Sequence, residues 1–132
     1  MSQENVEIVR EMLDAFNRGD YEASLAFLDE HVEWHDPPHV PGAGVHRGPE
    51  EVRRWFLRWM GAWESYTAEA EELIDAGDQV VVVHYERGRG KVSGAEVDQR
   101  FANLFDLRDG RIVSRRPFLD RTEAVEAAGL SE

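Results

Sequence analysis

Asp36, Asn103, His84 and Asp120 are residues of types that move protons or polarise a carbonyl, and aromatic residues flank them in sequence. Asp36 ends the run Val32-Glu33-Trp34-His35-Asp36-Pro37-Pro38. Proline cannot extend a strand ladder and disfavours an α residue before it. The run therefore reads as a short strand that stops at the double proline, with Asp36 at the mouth of whatever it lines. Strand alternation puts Trp34 and Asp36 on one face and Glu33 and His35 on the other. Among aromatic walls, desolvation raises a carboxyl pKa towards neutrality, where a general base works best. Two readings of Asp36 stand side by side: a base at a pocket, or an Asp-Pro turn at a strand end.

Asn103 shares a strand face with Gln99, Phe101 and Phe105 and needs a polar partner there. It is either a donor to a carbonyl or oxyanion or a hydrogen-bonding partner of Trp, Tyr or backbone. His84 shares a face with Val82 and Glu86. It is a second proton-transfer group or a half-buried strand histidine. Trp55, Trp59 and Trp63 recur at i, i+4 and i+8, a helical stripe that is core, pocket wall or both. The expected wall is Phe16, Trp34, Trp55, Trp59, Phe101, Phe105 and Phe118, around a small apolar or aromatic molecule. No cofactor is expected, since the chain has no phosphate-binding Gly loop. No metal is expected either: His31, His35, His39 and His46 are irregularly spaced and no His-Glu-x-x-His is present. The chain has no Cys, which excludes disulfides, thiolate ligands and Cys nucleophiles.

The elements that must position these residues follow from periodicity and punctuation. Val6, Val9, Leu13 and Phe16 predict a helix over 4–18, ended by Gly19. A shorter helix is expected over 21–29 and the strand over 32–36. After a Gly-rich loop (41–48), Pro49 and two acids open a third helix reaching about residue 64. Strands are expected over 67–75, 79–87, 95–107 and 111–119, the last two joined at Asp109-Gly110, and a short helix over 122–128. Helices first and an antiparallel sheet after them give an α+β class. A long curved sheet with helices on one face makes a half-open cone, and the hollow is the natural pocket. A length of 132 residues fits one domain, 1–132.

The formal charge of −12 disfavours nucleic acid and anionic membrane as partners. Basic residues nevertheless crowd the second half: Arg87, Arg89, Lys91, Arg100, Arg108, Arg111, Arg115, Arg116 and Arg121. These form solvated ion pairs or, more pointedly, meet an anionic ligand or a subunit. No apolar run approaches the roughly 20 residues of a membrane span. The polar, acidic start lacks the features of a signal peptide, so a cytoplasmic location is expected. Val81, Val83 and Tyr85 make the sheet's outer face too apolar to face water comfortably, which predicts a homodimer packed through it.

Phe16-Asn17-Arg18-Gly19-Asp20, the segment 32–37, Gly48 at a helix start, and the run from Phe105 through Asp109-Gly110-Arg111 to Val113 together resemble the nuclear transport factor 2-like superfamily. Within it, the SnoaL-like and ketosteroid-isomerase-like branch is most similar. The resemblance implies a single SnoaL-like domain in which three N-terminal helices pack on a curved antiparallel or mixed sheet, commonly as a dimer. It implies cofactor-free isomerisation, dehydration or cyclisation beside a carbonyl, or a non-catalytic binding or interaction module with the same fold. By resemblance, Asp36 matches the isomerases' general base. Met12 stands where they keep an oxyanion-hole Tyr, and Asn103 where they keep a protonated Asp. Asp120 falls near the acid that SnoaL-like cyclases carry after the last strand, whereas Arg116 replaces a Trp they often carry. His84 resembles the strand histidines of scytalone dehydratase. Asp98 and Arg100, with Asp120, resemble the Asp-Arg-Asp set of limonene epoxide hydrolases as a lesser alternative.

Overall fold

A computed structural model describes residues 2–130. Helix α1 (Ser2–Asn17) buries Val6, Val9 and Met12 along one stripe and packs Leu13 and Phe16 beside them. Gly19, at φ +82°, turns the chain out of the helix. The Asp20 carboxylate then accepts from the Ala23 N–H at 3.1 Å and caps α2 (Tyr21–Leu25).

Helix α2 is shorter than its sequence suggests, because Leu28 is needed in the sheet. Strand β1 (Leu28–His35) starts there, with Leu28 opposite Ile112 and both buried. The Gly-rich loop also holds an unexpected short strand, β2 (Val45–Arg47), antiparallel to β1. Its three residues are too few to show a period. Helix α3 (Gly48–Gly61) buries Val52 and Phe56 and stops at Gly61. Trp63 and Glu64, expected to end that helix, instead open β3 (Trp63–Ala76). Strands β4 (Gln79–Gly90), β5 (Glu96–Arg108) and β6 (Arg111–Phe118) follow, then α4 (Arg121–Ala127). Between β5 and β6, Asp109 and Gly110 both have positive φ, as a two-residue type I′ hairpin requires.

The six strands run in the order β2-β1-β6-β5-β4-β3. The β1–β6 pair is parallel and the other pairs are antiparallel. The sheet is therefore mixed, an α+β arrangement. Helices α1 to α3 precede its long strands, but β1 and β2 interrupt them and α2 is only five residues long. The main core lies between the sheet's inner face and the helices, around Val9, Met12, Val32, Phe56, Phe105 and Ile112.

Part of the outer face is covered within the chain itself. Helix α4 lies on it, packing Ala124 and Val125 against Val81, Ala102 and Leu104. Val81 is 0% exposed and Val83 is buried within this single chain, while Tyr85 donates its hydroxyl to Asp98 at 2.7 Å. At Val81 the apolar outer face is thus covered by the chain's own helix, while Arg87 and Arg100 lie over the Tyr85 ring.

The strand expected over 79–87 continues, as β4, through Gly88 to Gly90. A Cβ there would stand 2.9 Å from the Ser65 carbonyl oxygen and 2.9 Å from Cε3 of Trp63. Glycine lets the Trp63 ring lie across the strand. Gly88→Ala is expected to lower unfolding stability in urea by about 1–3 kcal/mol, as overpacking does. A change under about 0.5 kcal/mol, the range of neutral surface substitutions, would refute this account of Gly88.

Candidate functional site

The inner face of the sheet, α1 and α3 enclose a hollow of about 690 Å³, within the range of small-molecule sites. Phe16, Trp34, Trp55, Trp59, Phe101 and Phe105 all line it, and the rings do not fill it. Trp55 and Trp59 stack at 5.6 Å with an interplanar angle of 6°. Trp34 and Phe105 also belong to the core, so these residues serve both packing and wall. The segment from Pro37 to Gly42 borders the hollow. Trp63 does not line it and packs against Trp59 and Tyr66 instead.

Asp36 reaches the hollow on the same side as Trp34, while His35 and Glu33 pair with each other on the opposite face, 3.4 Å apart. Its carboxylate is heavily engaged. Oδ1 accepts from His46 Nε2 at 3.0 Å and from the Trp55 indole N–H at 3.1 Å, and Oδ2 accepts from the Gly44 N–H at 3.1 Å. Burial pushes the Asp36 pKa up. The bonds from His46 and Gly44, the charge of His46 and the Trp55 bond outweigh that push and hold it below the ordinary Asp value. The expected raised pKa is therefore reversed. One wall residue supplies a polar N–H, and β2 delivers a histidine.

Asn103 and His84 meet. Arg115 Nη1 donates to Asn103 Oδ1 at a long 3.5 Å, and Arg donates only. Asn103 thus presents its amide nitrogen to His84 Nε2, 3.0 Å away. That fixes Nε2 as the acceptor and places the proton of the neutral ring on Nδ1. Nδ1 has no partner of hydrogen-bonding geometry, although the Ala68 backbone still favours the protonated ring. His84 is 2% exposed and stacks on Phe101. Burial, helped by the Arg115 charge, pulls its pKa down to about 4. The expected proton shuttle is a neutral histidine whose one lone pair is already engaged. A third group, Glu86, accepts from the Tyr66 hydroxyl at 2.5 Å and from Gln99 Nε2 at 2.8 Å. Burial first, then the Glu86 carboxylate, pushes the Tyr66 pKa up, so its phenol stays protonated.

One expected site residue, Asp120, lies elsewhere, and another, Phe118, is shared between the hollow and the outer-face cluster. Asp120 does not line the hollow. Its side chain accepts from the Glu123 N–H at 2.9 Å and caps α4, which satisfies an otherwise orphaned donor. Phe118 lines the hollow with Pro117, Leu119 and Glu123 near the end of β6, and also packs against the outer-face cluster beneath α4. Conversely, the sequence reading did not single out Arg115, Tyr66, Glu86 or His46 for the site. For Arg115 a signal existed, because two successive strand arginines, 115 and 116, must point to opposite faces. Arg116 lies on the outer face near Asp106, and Arg115 enters the hollow.

Comparison with known proteins agrees with this architecture. Residues 9–115 match the family model described as the SnoaL-like domain. An NTF2-like protein of Burkholderia thailandensis is 31% identical, with a TM-score of 0.80 over 96% of this chain and 97% of that one. Bal32a, from a soil-derived mobile gene cassette, is 26% identical, with a TM-score of 0.81 over 96% of each chain. A Catenulispora acidiphila protein with a ketosteroid isomerase-like fold, solved in complex with trimethylamine, is 20% identical with a TM-score of 0.75. The match spans 95% of this chain and 94% of that one, and shows a common fold. No curated protein matches the sequence.

Proposed function

Since the chain belongs to the SnoaL-like family, we propose that its hollow holds a small, largely apolar or aromatic molecule and that Asp36 moves a proton beside a carbonyl of that molecule without a cofactor. The observation that carries this reading is an aromatic-walled space of about 690 Å³ with Asp36, Asn103, His84 and Arg115 among the polar side chains on its lining.

The chemistry runs as follows. A carbon acid bound against Trp55 gives its α proton to Asp36 Oδ2, the oxygen with a single protein donor. The C–H electron pair moves into the enolate, whose oxygen takes a hydrogen bond from the Asn103 amide hydrogen that His84 does not use. Returning the proton from Asp36 to another carbon is an isomerisation; passing it to a hydroxyl on the β carbon, so that the C–O bond breaks with its electron pair and water leaves as the enolate collapses to the enone, is a dehydration. The low pKa keeps Asp36 ionised at neutral pH, as a base must be, while making it a weaker base than a desolvated carboxylate.

A second reading, a binding module without turnover, is favoured by one observation. Protein donors already occupy both Asp36 oxygens, and Asn103 and His84 bond to each other.

Aryl ketones such as 2-acetonaphthone separate the two. Binding in the hollow should quench tryptophan emission and raise Tm, with stabilisation reaching about 2.7 kcal/mol at a hundredfold excess over Kd. Proton transfer should also speed exchange of the ketone's α hydrogens for deuterium in D2O, followed by NMR. Binding without faster exchange would leave the module reading. Absence of binding across a panel of such ketones would reject both.

A further inference from the structure

We propose that the molecule in the hollow carries an anionic oxygen group, a carboxylate or an acidic enol, on an aromatic body, and that Arg115 is the residue that pairs with it. This rests on the hollow being a ligand site and adds the charge class of the ligand.

Arg115 is 4% exposed, yet among the described residues no carboxylate lies within ion-pair distance of it. Buried charges are normally paired, because taking an unpaired charge out of water is costly. Its strongest protein contacts are of another kind. The guanidinium carbon lies 4.5 Å from the Trp34 ring centroid and 5.0 Å from that of Trp55. Ring faces hold a guanidinium without using its in-plane N–H groups. Its one protein hydrogen bond is the 3.5 Å contact to Asn103, and its Nε has no acceptor at all. The buried Trp34 Nε1 is a second donor without an acceptor. Both residues line the hollow. Asp36 acts on Arg115 through charge alone, since its own oxygens are taken up by His46, Trp55 and Gly44. Burial pulls the Arg115 pKa down to about 9, which leaves it cationic at pH 7.

The result is a guanidinium held between ring faces, with one long hydrogen bond from Nη1 and an unpartnered Nε. A planar oxyanion matches such a fork with two parallel hydrogen bonds. An apolar body on that anion would lie against Trp59, Phe16 and Phe101. The overall charge of −12 opposes anions at long range, and the Asp36 carboxylate on the same lining opposes them locally, so the bound anion must lie on the Arg115 side of the hollow. Salt at about 0.1 M screens that field beyond about 10 Å and leaves a buried pair nearly untouched.

The test uses two probes of one shape, 1-naphthoate and the neutral 1-naphthamide, titrated by calorimetry and tryptophan quenching at pH 7. The parent protein should bind the acid at least about tenfold more tightly than the amide, as one charge-assisted pair supplies. Arg115→Gln should bring the two affinities to within about twofold, and Arg115→Lys should keep part of the preference. Equal binding of both probes by the parent overturns the anion proposal and leaves the pocket standing. An acid preference that survives Arg115→Gln also overturns it, since the anion then sits elsewhere. If neither probe binds at millimolar concentration, the pocket reading fails with it. Should Arg115→Gln not fold, the acid-to-amide ratio of the parent and the Arg115→Lys titration decide the matter.

Discussion

Asp36→Asn is expected to slow α-hydrogen exchange, or turnover of any true substrate, by at least about two orders of magnitude, the effect of losing a positioned general base. The amide has no ionised oxygen to take the proton. Much of the local structure should survive, because Asn Oδ1 still accepts from His46 and Trp55. The Asn NH2 group, however, would face the Gly44 N–H, which now lies 3.1 Å from Oδ2. Two opposed donors should lower stability by about 1–3 kcal/mol, so the exchange rate is compared at a temperature where both proteins are folded. Binding of the ketone should persist within a few fold, since its apolar contacts are unchanged. An Asp36→Asn protein that exchanges the ketone as fast as the parent removes Asp36 from the chemistry and leaves it as the clamp that joins α3, β2 and the loop before β2.

That dual character explains what the sequence disclosed. The place of Asp36 was legible: a strand stopped by Pro37 and Pro38, with period-two alternation, puts its side chain beside Trp34 on the hollow side. Its electrostatics were not. They depend on His46, which comes from the three-residue β2, and on Trp55 turning a polar N–H, not only a ring face, towards the carboxylate. The aromatic wall was legible because Trp55 and Trp59 keep helical spacing. Trp63 left the stripe because Gly61 ended α3 two residues earlier. The pairing of Asn103 with His84 depends on register, with Val82 opposite Asn103 and His84 opposite Phe101, and no single strand carries that information. Arg115 needed a longer-range fact still, the parallel pairing of β6 with β1 that sets it opposite Trp34. Asp120 shows the reverse case. Asp followed three residues later by Glu is a helix-start pattern, and that local meaning, not catalysis, is the one the fold uses.

Between pH 7 and pH 4 the protein is expected to lose about 3 kcal/mol of stability through His84 alone. Its folded pKa is about 4, against about 6.5 for an unfolded histidine, and each tenfold difference is worth about 1.36 kcal/mol. The folded value lies below the unfolded one. As pH falls through 6.5 the unfolded chain therefore takes up the proton first, and the native state is progressively disfavoured. The full contribution is present above about pH 6.5, and it is lost once the pH has fallen through about 4. Asp36 works in the same direction but lower, since its pKa is depressed below an already acidic 3.8. The two effects are therefore separable by pH. The charged group that acts on His84 is Arg115, whose cation opposes protonation of the ring, while the Ala68 backbone weakly favours it. Urea unfolding at pH 7.5, 6.0, 5.0 and 4.5 should show the parent's midpoint falling steeply below pH 6.5. The curve for His84→Gln should be flatter by about 2.5 kcal/mol over that range. Parallel curves for the two proteins would mean that His84 is readily protonated in the native state. A protonated ring cannot accept the Asn103 hydrogen at Nε2, so such a result would also dismantle the Arg115-Asn103-His84 chain and reopen His84 as a proton carrier.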